Sequence, residues 1–413
     1  MSPPNIHKES IAITYVLTRL AAGGPREHVL TLLREMASRG YLSALATGRC
    51  DPGHDVDMSW ASPQGDTIHI VSEMSRPVRP WRDLVSLWRM YKHLVNSKPD
   101  IVHTHTAKAG VIGRLAARAA GVPVVVHTYH GNVLSGYFSK RVSAAVRGCE
   151  RLLALVTDCI CVLSDEQRQE VTDKYGIAPA SKVHVVPLGI DLGRFGELEM
   201  PPIDGLLTVG WLGRLVPIKN VPLLVASAEE TLRRGGNVRF LVAGDGPERE
   251  RIKAAVSRLG QERFEWVGWQ QDVRSILARC HVLMQTSFNE GTPNSLIQAS
   301  AANRTFISTA VGGIVDMVSG ETIRCTRGAR WHTNGVLVEP DAGVFASVLC
   351  HLADNPAEVR DMGQEAARFA RAHFDVQVQL SALDALYREL LLNHAGLRDP
   401  EVNRALARSS CTP

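Results

Sequence analysis

No apolar run in this 413-residue chain is long enough to cross a bilayer; stretches such as IAITYVL (11–17) are strand-sized. Behind the polar opening MSPPNIHKES, that stretch is also too short for the apolar region of a secretory leader, which points to a cytoplasmic protein. There is no CxxC pair. Eight cysteines without regular spacing fit neither a zinc finger nor a secreted disulfide framework, and reduced thiols are the simplest reading. Cys159 and Cys161, two apart, share a face if they lie on a strand. The dinucleotide fingerprint G-x-G-x-x-G is missing, and so is an acidic metal-binding motif. Negative charge is scarce between residues 76 and 151, where thirteen Lys/Arg face three Asp/Glu in a chain of net charge +4. A basic stretch of that kind suits an anionic surface or an anionic substrate.

What is present is an ordinary globular composition, 45% hydrophobic and 21% charged. The length implies two or three domains, because single cores rarely grow beyond about 250–300 residues. Short apolar runs alternate with helical patterns. IAITYVL, TIHIV, IVHTHT, VPVVVHTYH, CICVLS and VHVVPLG read as strands of a first half, with helices near 25–38, 81–96, 108–120 and 138–157. The Gly- and Pro-rich PLGIDLGRFGELEMPPIDG (187–205) reads as a linker. The alternation then restarts with LLTVGWLG, VRFLVAGDG, FEWVGW, VLMQTS, TFISTAVGG and GVLVEP, and ends in helices near 356–373 and 376–394. The expected fold class is α/β, two doubly wound Rossmann-like domains, with ligands held beyond the carboxyl ends of their strands.

The loops at those strand ends carry the chemistry. GRLVPIKN places Arg214 and Lys219 five apart, a fork and a point charge that together suit a diphosphate, although a lone R-x₄-K also fits a solvated loop. VAGDGPERERI is explained by turn chemistry alone. In VGWQQDV, Trp269 either borders a flat ring or is a rim tryptophan. SFNEGTPNSLIQASA puts Glu290 just outside a helix that starts near Pro293. The free amides around Asn294 and Ser295 make an anion site, and Glu290 is either a helix-end charge or an acceptor for ligand hydroxyls. In the first half, Gly23 and Gly24 separate the first strand from the first helix, and His130 stands at the carboxyl end of VPVVVHTYH. His103 and His105 share a strand face with no third ligand nearby in sequence, which weighs against a metal.

Together these segments resemble family 4 of the retaining glycosyltransferases. The resemblance rests on GGPREHVL, HTHTAKAGVIGRLAARAAGVPVVVHTYHG, VHVVPLGID, GRLVPIKN, VAGDGPERERI, EGTPNSLIQASA and AVGG, which occur in the family's order. The HTHTAKAG, HTYHG and GYFSK region is most similar to bacterial members that build surface polysaccharides and lipid-linked glycans. The resemblance implies a GT-B fold, with the two domains facing across a cleft. An acceptor-side domain would occupy 1–190, a linker 191–205 and a nucleotide-sugar domain 206–375. A C-terminal helix and tail at 376–413 would be placed to pack back on the first domain.

The implied activity is retaining transfer of a sugar from a nucleotide-diphosphate sugar, with UDP the base the family implies, to a hydroxyl acceptor such as a polyprenyl-diphosphate-linked glycan. No cofactor or metal is expected, and no nucleic acid. The implied catalytic residues are Arg214 and Lys219 on the diphosphate, Glu290 on the sugar hydroxyls and His130 near the reacting face. Donor contacts would come from Gly24, Gly213, Trp269, Gly291, Thr292, Asn294, Ser295 and Gln298. The family has a second glutamate where this chain has Gln298, so weaker ribose anchoring is expected. Lys140, Arg147 and Arg151 fall on one face of a helix opposite Val142, Val146, Cys149, Leu153 and Val156. That face serves an anionic membrane or the acceptor, at the inner side of the plasma membrane, or is merely solvated. A soluble small-molecule acceptor, a nucleotide-sugar 2-epimerase of the same fold and a non-catalytic nucleotide-binding subunit are the competing readings.

Overall fold

The computed structural model describes residues 10–21, 23–49, 67–75, 77–131 and 139–398. Part of the GYFSK motif and the tail NRALARSSCTP lie outside them. The chain divides into two compact units, one comprising Met1–Leu163, Arg168–Val186 and Gln379–Pro413, the other Ser164–Gln167 and Pro187–Val378. The stretch 187–205, expected to be a linker, therefore belongs to the second unit.

The first unit holds strands β1 (Ile11–Arg19), β2 (Tyr41–Gly48), β3 (Thr67–Ile70), β4 (Ile101–His105), β5 (Val124–Thr128), β6 (Cys159–Val162) and β7 (Val183–Val185). Its helices are α1 (Gly24–Glu35), α2 (Pro80–Ser97), α3 (Ala107–Ala119) and α4 (Lys140–Leu155), and α5 (Asp165–Gln169) follows β6. The sheet is parallel, in the order β3-β2-β1-β4-β5-β6-β7. Strands β4, β5 and β6 are buried along their whole length, as strands covered on both faces must be, which explains their near-continuous apolar and β-branched sequences. Strand β2, YLSALATG, has few large apolar residues and was not expected as a strand. Pairing with β1 and β3 makes it one. Val16, Val102, Ile112, Ala116 and Val125 form one core with Met90 and Leu94 of α2. Cys159 and Cys161 are both buried, with their sulfurs 4.0 Å apart.

The second unit holds β8 (Leu207–Leu212), β9 (Val238–Ala243), β10 (Phe264–Trp266), β11 (Val282–Gln285), β12 (Thr305–Thr309), β13 (Arg324–Thr326), β14 (Ala329–Trp331) and β15 (Gly335–Val338). Its helices are α6 (Gly193–Gly196), α7 (Val221–Arg233), α8 (Arg249–Leu259), α9 (Arg274–Leu277), α10 (Asn294–Ala301), α11 (Ala342–Asp354) and α12 (Pro356–Phe374). The order is β10-β9-β8-β11-β12-β15-β14-β13, parallel except for the last two strands. That antiparallel edge was not anticipated, because its three-residue strands are too short to show alternation. Trp211, Leu224, Phe240, Phe264, Ile307 and Phe345 anchor the core.

The final helix α13 (Val376–Arg398) enters the first unit from Gln379 onward. Within that unit the Tyr387 hydroxyl meets His103 Nδ1 at 2.5 Å, and the Tyr41 hydroxyl donates to Asp384 at 2.8 Å. These polar contacts fix the helix to β2 and β4, and Leu383 and Leu386 of the same helix are buried.

Candidate active site

In the second unit, β9 and β10 lie on one side of β8, and β11, β12 and β15 lie on the other. The connections leaving β8 and β11 therefore diverge, and the carboxyl ends of these two strands border the crevice where open α/β sheets hold ligands. The chain places Arg214 and Lys219 after β8 and Glu290 after β11. Two bonds join these loops: the Thr286 hydroxyl donates to the Lys219 carbonyl at 2.8 Å, and the Phe288 amide donates to the Ile218 carbonyl at 2.9 Å. Asn220, at φ 50°, then caps α7 by accepting the Leu223 amide through its side chain.

Glu290 is the most heavily engaged of the candidates. Lys219 Nζ stands 2.5 Å from its Oε1, with both side chains largely buried. Gln285 Nε2 donates to the same oxygen at 2.6 Å and the Ser287 hydroxyl at 2.5 Å. Three donors on one carboxylate oxygen fix the rotamer and leave the second oxygen directed elsewhere. Sequence reasoning missed Gln285 and Ser287. The available signal was their position, at the end of β11 and in the loop behind it, five and three residues before the carboxylate.

Arg214 is exposed, and its guanidinium makes no bond to any described side chain. Its loop is held close to the next one. Gly244 sits at φ +141°, and a Cβ there would collide with the Gly213 carbonyl. The Gly244 amide in turn donates to Gly268 at 2.8 Å, beside Trp269, which is exposed. The loops after β8, β9 and β10 are thus contiguous. On the other side, Gly312 at φ +51° touches the backbone of Glu290, where any side chain would clash.

The helix behind Glu290 begins at Asn294, with Pro293 as its N-cap rather than in its first turn. No side chain caps this end, so the amides of Asn294 and Ser295 remain available, with the positive end of the helix dipole behind them. Asn294, Ser295 and Gln298 are the partly exposed residues of α10, while Leu296, Ile297, Ala299 and Ser300 are buried. Gln298 therefore shares a face with the free amides, one turn on. Gly291 is partly exposed, and the buried Thr292 hydroxyl has no partner among the described residues.

In the first unit, the strand order reverses between β1 and β4. Gly24 opens α1 after β1, with Gly23 as its cap. His130, beyond β5, is partly exposed, and its Nε2 lies 2.9 Å from His105 Nδ1. His28 of α1 meets His130 edge-on at 4.8 Å. Burial, followed by the neighbouring rings, holds His105 and His130 well below the usual imidazole range, and burial alone pushes His28 down to about 4. The three rings are therefore neutral near pH 7. His103 is bonded to Thr128 and Tyr387, a structural role. Among the described residues no group of His, Cys, Asp or Glu is placed to hold a metal.

The family models for Glycosyltransferase Family 4 and for Glycosyl transferases group 1 match residues 22–194 and 207–355. This chain belongs to glycosyltransferase family 4. It is 28% identical over 339 residues, 78% of this chain and 84% of the other, to UDP-Gal:alpha-D-GlcNAc-diphosphoundecaprenol alpha-1,3-galactosyltransferase of Escherichia coli. It is 23% identical to the capsular polysaccharide biosynthesis glycosyltransferase CapM of Staphylococcus aureus, over 80% of this chain and 87% of that one. Among solved structures it is similar to sucrose-phosphate synthase from Thermosynechococcus elongatus, with a TM-score of 0.76 at 22% identity over 92% of this chain and 99% of that one. The transferase has the GT-B fold.

The basic residues of α4 are placed differently from the sequence expectation. Arg151 donates to the carbonyls of Gly176 and Tyr175, and the Arg147 guanidinium lies over the Tyr175 ring at 5.1 Å. Lys140 and Arg141, at the first turn, are exposed without such a contact. The packed side of α4 is Ser143, Glu150, Leu153 and Ala154, whereas Val142 and Cys149 face solvent. The rotation follows from Glu150, which the helix buries against Arg114 at 2.8 Å and the Tyr129 hydroxyl at 2.6 Å. No described helix of the transferase is long and apolar enough to cross a membrane.

Proposed function

We propose that this transferase moves a sugar from a UDP-sugar to a hydroxyl of a lipid-linked glycan, with retention of anomeric configuration and without a metal. One observation carries the reading: a lysine–glutamate pair at the switch point of the second sheet, flanked by an exposed arginine and an uncapped helix end. The E. coli relative, whose name states a UDP-galactose donor and a diphosphoundecaprenol acceptor, supports this choice of donor and acceptor.

In this reading Arg214, Lys219 and the Asn294 and Ser295 amides meet the diphosphate. Fixed donors aimed at charge that develops in the transition state are worth about 10²–10³-fold in turnover for each group. The C1–phosphate oxygen bond breaks with that charge stabilised. The acceptor oxygen attaches to C1 on the same face, and its proton passes to the departing phosphate oxygen. Glu290, fixed by Gln285, Ser287 and Lys219, presents its remaining oxygen to sugar hydroxyls. His130, in the first unit, is a neutral hydrogen-bonding group. Trp269 borders the base, and Gln298 accepts a ribose hydroxyl through one uncharged oxygen.

The test is a screen of nucleotide-sugars for nucleoside-diphosphate release, with and without polyprenyl-diphosphate-linked acceptors, followed by NMR of the product's anomeric centre. Acceptor-dependent release of UDP and an unchanged anomer are expected. Sugar isomerisation with donor alone would replace this reading with an epimerase, and release dependent only on soluble acceptors would move the substrate class.

A further inference from the structure

Helix α2 has two apolar sides. One is the core side, where Ser86, Met90 and Leu94 are buried. The other faces solvent: Trp81 is 76% exposed, Leu84 55%, Trp88 54%, and Tyr91 and Val95 38% each. These five residues recur at spacings of three and four, so they form one continuous stripe along the helix. At a rise of about 1.5 Å per residue the stripe is about 21 Å long. Val78, just before the helix, extends it and is 81% exposed. An ordinary surface helix is polar on its outer side, so this one departs from the pattern where a monomer has most to lose by exposing aromatic surface.

Of the charged residues of the helix, Lys92 borders the stripe, one turn from Trp88 and Val95; Arg82 and Arg89 lie further round that flank, and Arg79 and Lys98 stand at the two ends. Lys92 Nζ lies 4.2 Å from the centre of the Trp88 ring. The carboxylates nearby are already engaged, Asp83 with Lys108 at 2.7 Å and Glu73 with Arg89 at 3.0 Å. A second copy of the chain would bring a second cationic row and no carboxylate to meet it. An anionic lipid surface offers both an apolar layer for the rings and phosphates for the cations.

We infer that the outer side of α2 lies in the interface of an anionic bilayer, with Trp81, Trp88 and Tyr91 at headgroup depth and Lys92 and Arg82 reaching lipid phosphates. The helix is too short and too charged to span the membrane, so binding is peripheral and reversible. This surface is distinct from α4, where Arg147 and Arg151 are held by the Tyr175–Gly176 turn. The inference rests on the surface of α2 and does not depend on which acceptor is used.

The experiment is vesicle flotation of the full chain, with phosphatidylcholine alone and with phosphatidylcholine–phosphatidylglycerol mixtures. Binding to the anionic vesicles that weakens with salt is expected. The Trp81→Ser/Trp88→Ser variant should lose partitioning on the order of a hundredfold, and Arg82→Ser/Lys92→Ser on the order of tenfold. Thermal unfolding of both variants should match the parent, since all four side chains are exposed. Quenching of tryptophan fluorescence by brominated acyl chains should fall in the tryptophan variant. Three results overturn the inference: no flotation with either vesicle, unchanged flotation in the tryptophan variant, or loss of self-association in that variant without any lipid binding. None of these readouts measures sugar transfer. Failure of the proposed activity, seen as no acceptor-dependent UDP release with a water-soluble short-chain acceptor, is therefore scored separately.

Discussion

Glu290→Gln separates two jobs of one carboxylate. Glutamine keeps the shape and one acceptor oxygen for Gln285 and Ser287 but removes the charge that holds Lys219 at 2.5 Å. Both side chains are largely buried, so the pair is screened less than a surface pair. A coupling of about 0.5–3 kcal/mol is the range for residues in direct contact in one network. For a unit of this size each kcal/mol moves Tm by about 2–4 °C, so a fall of about 1–12 °C is expected. Turnover should drop about a hundredfold or more, because the sugar loses its charged acceptor. Affinity for UDP should hold or rise, because the lysine is released toward the diphosphate. The assay is a double-mutant cycle with Lys219→Met, read by thermal unfolding and by calorimetric titration with UDP. If UDP binding weakens in Glu290→Gln as much as in Lys219→Met, or the coupling is under about 0.5 kcal/mol, then the two residues do not act as argued here.

Arg214→Ala should cut turnover about 10²–10³-fold while leaving stability within about 0.5 kcal/mol, since the exposed guanidinium contacts no described side chain; near-normal turnover would remove it from the mechanism. Gln298→Glu should tighten nucleotide binding by about 1 kcal/mol, roughly fivefold, as a charged acceptor replaces a neutral one; unchanged affinity in a titration would end its ribose role. His28 has a folded pKa of about 4 against 6.5 in its absence of burial, so its neutral form is fully accommodated above about pH 6.5. As pH falls through that window the unfolded chain takes a proton that the folded state refuses, and about 3 kcal/mol is lost by pH 4. Urea melts against pH should show that acid limb, and it should flatten in His28→Leu.

The fold was largely legible because it is written in local patterns. β-branched runs such as VVVHT and the repeated alternation of short apolar runs with helical periods declare a doubly wound parallel sheet, and that class places ligands at strand ends. Where the local signal was thin the reading was thin. Strand β2 has few large apolar residues and becomes a strand only between two others, and the three-residue strands at the far edge show no period at all. The turn of α4 was misjudged because helical periodicity ranks residues by apolarity. The buried position of Glu150 is fixed by Arg114 and Tyr129, which lie 36 and 21 residues away in sequence.

The sequence by itself determined which residue types stand at which strand ends, because turn and helix signals are local and a carboxyl-end loop can be found without coordinates. Only the tertiary structure decided what those residues do to one another. It joined Lys219 to Glu290 across 71 residues, brought Gln285 and Ser287 onto the same oxygen, tied Arg147 and Arg151 to a turn, and turned the aromatic stripe of α2 outward. The physical reason is that pairing and burial depend on which strands become neighbours. A helix with two apolar sides carries no label in its sequence for the one that will face the core.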